Sequence, residues 1–290
     1  MKKTTKILGW DAARNSKDNG FCLLTISERN ILVEIKEWDI DDPSISEEFE
    51  SLDFICVDIP LGWPIAFQRE WENGHPPANQ FSDDGFDRTF KRATDRFIKA
   101  TTKTQVLEVG AEKIARASVQ TIHRLNSLVP NWREHTAVHT IDMNLNHTQV
   151  LEVYPRATIE NIRLQKAYPE KKTKNGMISR SYVEKVLTDI SNQQILLFWP
   201  PSMLDEFEQA DNLVNGHQFD AFIAAITGLM IFQGHEDYSF FGCMDIKMVM
   251  DRVNTSDYIQ KKGYIDYIKE NDLQSAYLEG WIWVPFKKLP

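Results

Sequence analysis

Residues 54–60 read Phe54-Ile55-Cys56-Val57-Asp58-Ile59-Pro60, a run apolar on both faces that carries one charge and stops at a proline. Strands buried on both faces belong at the centre of a partly parallel sheet, where helices cover each side. A second run, Ile7-Leu8-Gly9-Trp10-Asp11, has the same make-up and also ends in an aspartate. Between them the chain predicts strands over 20–26 and 31–38. The first is entered through Asn19-Gly20, and the polar turn Ser27-Glu28-Arg29-Asn30 separates the two. These three strands form an antiparallel meander. A polar segment over 43–52, with Pro43 near its first turn, predicts a short helix before the fourth strand. That order lets the first and fourth strands lie side by side and parallel in the middle of a mixed sheet.

Downstream, residues 61–105 read as an insertion, punctuated by Pro64, Asn73-Gly74 and Pro76-Pro77. Apolar residues recur at helical spacing from Val106 to Leu128, and Gln149 to Tyr154 predicts a fifth strand closed by Pro155. Residues 156–214 form a second elaborated region. Asn215 to Phe232 predicts a helix apolar nearly all the way round, and Glu279 to Pro285 an aromatic, strand-like segment. The expectation is one α/β domain over 1–290.

At 42% hydrophobic the chain has ample material for a core. Its net charge of −9 repels polyanions as a whole, so a nucleic acid would have to dock on a local basic stretch. Cys22, Cys56 and Cys243 are widely spaced and read as buried thiols of a reducing compartment. No stretch approaches the ~20 apolar residues that span a bilayer. A cytoplasmic protein without membrane contact is expected, and protein partners are left open.

Four carboxylates stand where carboxylates are normally avoided. Asp11 and Asp58 end apolar strands, Glu152 lies within Val150-Leu151-Glu152-Val153-Tyr154, and Asp220 is the only charge between Phe219 and Gln233. Each alone has an ordinary explanation: a strand-ending turn, a water-facing edge position, or a residue near a helix start. Together they suggest a shared cation, because an isolated buried carboxylate costs several kcal/mol or gives up its charge. A set made only of carboxylates favours Mg²⁺ or Mn²⁺ over zinc. His217 precedes Asp220 by three residues, on about the same helical face. His135 and His139 have ligand-like spacing but lack a nearby third donor.

The stretches Leu8-Gly9-Trp10-Asp11-Ala12-Ala13-Arg14, Val57 to Pro64, Arg92-Ala93-Thr94-Asp95, Glu152-Val153-Tyr154-Pro155, His217 to Ala221 and Glu279 to Pro285 keep a common order. In that order the chain resembles the ribonuclease H-like fold and, more closely, the family called domain of unknown function 429 (DUF429), predicted ribonuclease H-like nucleases. The resemblance implies a mixed five-stranded sheet flanked by helices, with helical insertions. It also implies that Asp11, Asp58 and Asp220 hold metal, that Glu152 is a fourth site residue, and that His217 assists proton transfer.

Phosphate contacts are expected from Arg14 and from a helical stripe of Arg88, Arg92 and Arg96 that continues to Lys99 and Lys103. A second basic cluster runs from Arg163 through Lys166, Lys171, Lys172 and Lys174 to Arg180. Taken alone, either stretch is more simply explained as a solvated charged face. The expected activity is metal-dependent phosphodiester hydrolysis, as by a nuclease using two metal ions. The alternative is a non-catalytic module of the same fold that binds nucleic acid, nucleotide or a protein.

Overall fold

The computed structural model describes residues 4–27, 30–72, 90–102, 104, 106, 108–109, 112–136, 141, 147–163, 177–195, 208–210, 213–242, 245–256 and 276–288. Its centre is a sheet built from β1 (Thr5–Asp11), β2 (Gly20–Ile26), β3 (Ile31–Lys36), β4 (Phe54–Asp58) and β5 (Gln149–Val153). The predicted meander is present: β1 pairs antiparallel with β2, and β2 with β3. β4 lies parallel to β1 on its other side, and β5 lies parallel to β4.

Two short strands then form beyond β5, β6 (Met177–Ser179) and β7 (Glu208–Ala210), followed by β8 (Leu213–Asn215). These three make a separate small sheet. β9 (Tyr238–Ser239) pairs with β11 (Phe286–Lys287), while β10 (Ile282–Trp283) joins the central sheet beside β5, parallel to it. The central sheet therefore has six strands in the order β10-β5-β4-β1-β2-β3, not the five expected. The extra strand is the aromatic segment near the end of the chain. That segment reads as strand-like in the sequence, but its ordered pairing is only two residues long, Ile282 and Trp283 beside Glu152 and Val153.

Described helices are α1 (Ser46–Glu50), α2 (Ile65–Glu72), α3 (Ala93–Thr102), α4 (Glu112–Leu128), α5 (Pro155–Ile162), α6 (Arg180–Asn192), α7 (Gly216–Gln233) and α8 (Ile246–Asn254). Pro43–Ile45 is a 3-10 turn leading into α1, and α4 starts six residues later than the apolar spacing from Val106 suggests. α2 and α3 fall inside the expected insertion, and residues 73–89 between them lie outside the described residues. Among the described residues no helix is long and apolar enough to cross a membrane.

Strand alternation divides the core into two layers. Ile7, Cys22, Phe54, Cys56 and Leu151 face α7. Leu8, Trp10, Phe21, Ile55, Val57 and Val150 face the opposite side, against Phe49 of α1 and Leu125 and Leu128 of α4. The thiols of Cys22 and Cys56 are buried in the first layer, as composition suggested, and Cys243 lies outside the described residues.

α7 is held at both ends and lies unusually close to the sheet. The Asn215 side chain accepts from the backbone N–H groups of His217 and Gln218 at 3.0 and 3.3 Å. Gly234 ends the helix in the left-handed region at φ 62°. A side chain at Gly9 would meet the Ala221 carbonyl oxygen at 1.9 Å, and one at Gly20 would meet the His217 carbonyl oxygen at 2.0 Å. Helix backbone thus rests directly on β1 and β2. Gly9→Ala is expected to push the helix off the sheet, costing about 3 kcal/mol and lowering Tm by roughly 6–12 °C. Thermal unfolding of the purified variant measures this.

Candidate functional site

Register alone sets the first feature of the site. Asp11 and Asp58 are direct partners at the carboxyl ends of neighbouring parallel strands. Both have the parity of the residues that face α7. The close seating of that helix brings His217 onto Asp11, with Nδ1 2.6 Å from Oδ2. The Asp11 side chain is 17% exposed and that of His217 42%, so the pair sits at a wet edge. The hydrogen bond that His217 donates to Asp11 raises the His217 pKa above its usual value, against the opposing effect of burial, and the charges of Asp11, Asp220 and Asp18 add to the rise.

Asp220 lies one turn further along α7 and is half-buried. Its charge reaches the same neighbourhood. Tyr154 is pushed up to about 12, first by burial and then by the charge of Asp58, with Asp220 contributing. Tyr182, pushed up to about 12, is shifted by burial and then by Asp220. Asp11, Asp58 and His217 are therefore gathered at one end of the sheet, with Asp220 one turn along α7, although Asp11 and His217 are far apart in the chain.

Glu152 behaves differently. It pairs in register with Val57, between Leu151 and Val153, so its side chain leaves the sheet on the face away from α7. There it is buried and takes both terminal nitrogens of Arg92, Oε1 at 2.6 Å from Nη2 and Oε2 at 2.7 Å from Nη1. The backbone N–H of Leu61 also donates to Oε2 at 3.0 Å. Strand parity thus commits both its oxygens to a bidentate ion pair, while it still lines a cavity with Asp11 and Asp58.

Arg92 is likewise turned inward. It is fully buried and pairs with Asp95 as well, its Nη2 donating to Oδ1 at 2.9 Å. Burial works against the guanidinium charge, but Asp95 and Glu152 outweigh it and hold Arg92 protonated. Asp95 also accepts from the Arg92 backbone N–H at 2.9 Å, closing the first turn of α3. Arg96 is 3% exposed. The expected phosphate-facing stripe is thus buried at Arg92 and Arg96, because its helix packs against the sheet, while Arg88 and Lys103 lie outside the described residues. In the second basic cluster, Arg163 pairs with Glu160 and Arg180 with Glu184. Its four lysines lie outside the described residues, as does His139, while His135 stacks on His147.

Glu279 also shapes the site, although its sequence position marks it only as part of the strand-like segment. Its carboxylate accepts from the backbone N–H groups of Ile65 at 2.9 Å and Ala93 at 2.8 Å, the first residues of α2 and α3. One buried carboxylate therefore caps two helices, where the positive ends of their dipoles favour it. The clue was its place beside Gly280, which adopts φ 85° to let the chain pass Arg92 and Glu152.

Asp11, Asp58, Glu152, Tyr154 and Arg14 line one cavity of about 700 Å³. Behind it Arg124 of α4 fixes the loop after β1. Its Nη1 donates to the Ala13 carbonyl at 2.7 Å and its Nη2 to the Arg14 carbonyl at 3.2 Å, while Asp41 holds the guanidinium from below. The Asn19 side chain completes that loop by accepting from Trp10 Nε1 and the Ala13 N–H. Among the described residues no group of three His, Cys, Asp or Glu side chains is arranged around a common metal position.

The family described as protein of unknown function (DUF429) matches residues 9–241. No curated protein and no solved structure matches the chain.

Two outcomes follow from this geometry. Arg92→Met leaves buried carboxylates without their cation and is expected to cost about 3–5 kcal/mol, read as a lower midpoint in urea. The His217–Asp11 pair contributes stability that is complete below the unfolded histidine pKa and fades as pH rises through the raised folded value. NMR titration should find His217 above 6.5, and Asp11→Asn should bring it back toward 6.5.

Proposed function

The chain belongs to the DUF429 family, and from that membership and its acidic sheet edge we propose a metal-dependent phosphodiesterase, a nuclease of ribonuclease H-like architecture. One observation carries the proposal: two aspartates in register at the ends of adjacent parallel strands, the first of them met by His217 from a helix seated on those strands, with Asp220 one turn along the same helix. The sheet order β3-β2-β1-β4-β5, with β1 parallel to β4, supports the ribonuclease H-like part.

The donor chemistry of Asp11, Asp58 and Asp220 suits Mg²⁺ or Mn²⁺, with the in-register pair Asp11 and Asp58 as the core of the site, since the three are not grouped around one position. These are hard oxygen donors at a half-exposed edge, and Mg²⁺ is commonly held by one or two carboxylates completed by water and substrate phosphate. Glu152 does not fit that set, since Arg92 takes both its oxygens. A bound divalent cation supplies charge for the phosphoryl oxygens and a more acidic water. The chain's own residues do the rest. Asp11 takes Nδ1 of His217 and so orients the ring, leaving Nε2 to hand a proton to the departing oxygen. Because Asp11 raises the histidine pKa, the ring keeps that proton nearer to neutral pH.

Labelled single-stranded, double-stranded and branched substrates incubated with Mg²⁺ or Mn²⁺ test the proposal. The wild-type protein is expected to cleave at least one of them, and Asp11→Asn to lose about 100-fold or more in rate. Calorimetry with Mn²⁺ should give a binding heat that Asp58→Asn abolishes. Equal turnover by wild type and Asp11→Asn refutes the assignment. Carboxylate-dependent heat without any cleavage would favour the binding-module reading.

A further inference from the structure

We infer that the cavity beside Asp11 and Asp58 takes a small organic phosphate of nucleotide size, held through its phosphate by Lys113 and Arg116 of α4. The inference rests on the proposed phosphodiester chemistry for the choice of phosphate, and it goes further by naming the size and anchoring of the ligand.

Three observations converge. First, Lys113, Arg116 and Ala117 stand three and four residues apart on α4, so they present one face, and all three line the cavity. Arg14 adds a third cation from the loop that Arg124 fixes. Neither basic stretch expected from sequence includes Lys113 or Arg116. Second, Ile114, Val106, Val153 and Ile282 give the same cavity an apolar wall, with Tyr154 beside it. A concave site of about 700 Å³, mostly apolar with a few converging charges, suits an organic molecule that buries most of its surface. Third, an extended strand needs an exposed basic track along its backbone. Of the expected track, Arg92 and Arg96 are buried, while Arg88, Lys103 and the four lysines of the second cluster lie outside the described residues.

Charge sets the orientation. Asp11, Asp58 and Asp18 also line the cavity and repel a phosphate. The phosphate therefore sits toward α4, where an arginine offers paired donors and a lysine a point charge. A divalent cation between the phosphate and the two strand-end aspartates would relieve the repulsion, so affinity should rise when Mn²⁺ is added.

The test is calorimetry of the full-length protein with a nucleoside 5′-monophosphate, the unphosphorylated nucleoside, a 5′-phosphorylated oligonucleotide and a circular single strand. The monophosphate should bind, the nucleoside should bind at least 10-fold more weakly, and the Lys113→Glu/Arg116→Glu double variant should lose at least 10-fold in monophosphate affinity. Both residues are exposed, and thermal unfolding of the double variant, read beside its monophosphate affinity, separates lost binding from lost structure. Binding of the phosphorylated oligonucleotide through the same two residues also supports the inference and identifies the source as a strand end. It is overturned if the monophosphate fails to bind, if the double variant binds it unchanged, or if the circle binds as tightly as the monophosphate and depends on the same residues. Monophosphate binding without any substrate cleavage would sink the hydrolase reading alone. Undiminished cleavage of long strands by the double variant would sink this inference alone.

Discussion

The buried pairing of Arg92 with Glu152 and Asp95 is the constraint on which the carboxyl edge depends. Glu152 belongs to β5, Arg92 and Asp95 to the start of α3, and Glu279 approaches from near the end of the chain. Leu61 and Ile65, just after β4, bind the same carboxylates through their backbone N–H groups. Four distant segments therefore meet at one charge cluster. Such a cluster gains little over an apolar core of equal volume, since desolvation offsets most of the attraction. What it adds is position, because each carboxylate accepts donors that only one arrangement of the segments supplies. It also turns the chain into β10, where the Ile282 N–H donates to Thr94 at 2.8 Å.

On the other face of the sheet the organising contact is apolar and steric. Gly9, Gly20 and Gly228 leave no side chain between α7 and the strands, and the helix backbone closes down onto β1 and β2. That closeness carries the polar end of α7 to Asp11. At Gly228 an added side chain would strike the Cys56 sulfur at 2.4 Å, which ties the helix to β4 as well. The position of His217 is thus set by packing at its own backbone, on Gly20, and along the helix as far as Gly228. Interiors are dense enough for such small changes in volume to be transmitted.

These two devices sort the acids into different electrostatic roles. Glu152, Asp95 and Glu279 are buried against arginines or helix N-termini. Asp11 and Asp58 at the strand ends and Asp220 on α7 remain partly exposed, where their mutual repulsion is screened but persists. Placing like charges together costs stability, and chains accept that at sites that bind a counter-charge. The cavity beside them balances the acids with cations on α4, so its two walls carry opposite sign.

Much of this was legible in the linear chain. The apolar runs ending in Asp11 and Asp58 dictated two central strands, and the order of elements dictated that they lie parallel. The near-uniform apolar character of 215–232 announced a buried helix. These features are local: propensity, alternation and turn chemistry act over a few residues. Glu152 shows where locality ends. Its residue type and apolar neighbours matched those of the other acids, yet strand parity sent it to the opposite face and into an ion pair. Arg92 and Arg96 had the spacing of an exposed stripe, and only the docking of α3 showed that the stripe faces inward. Lys113 and Arg116 were ordinary helical cations until the fold put them across a cavity from Asp11. The sequence by itself determined which residues form strands and helices and which carboxylates lacked a local explanation. The tertiary structure decided which charges meet, because a charge's partner depends on face and distance, and both are set by packing between elements far apart in the chain.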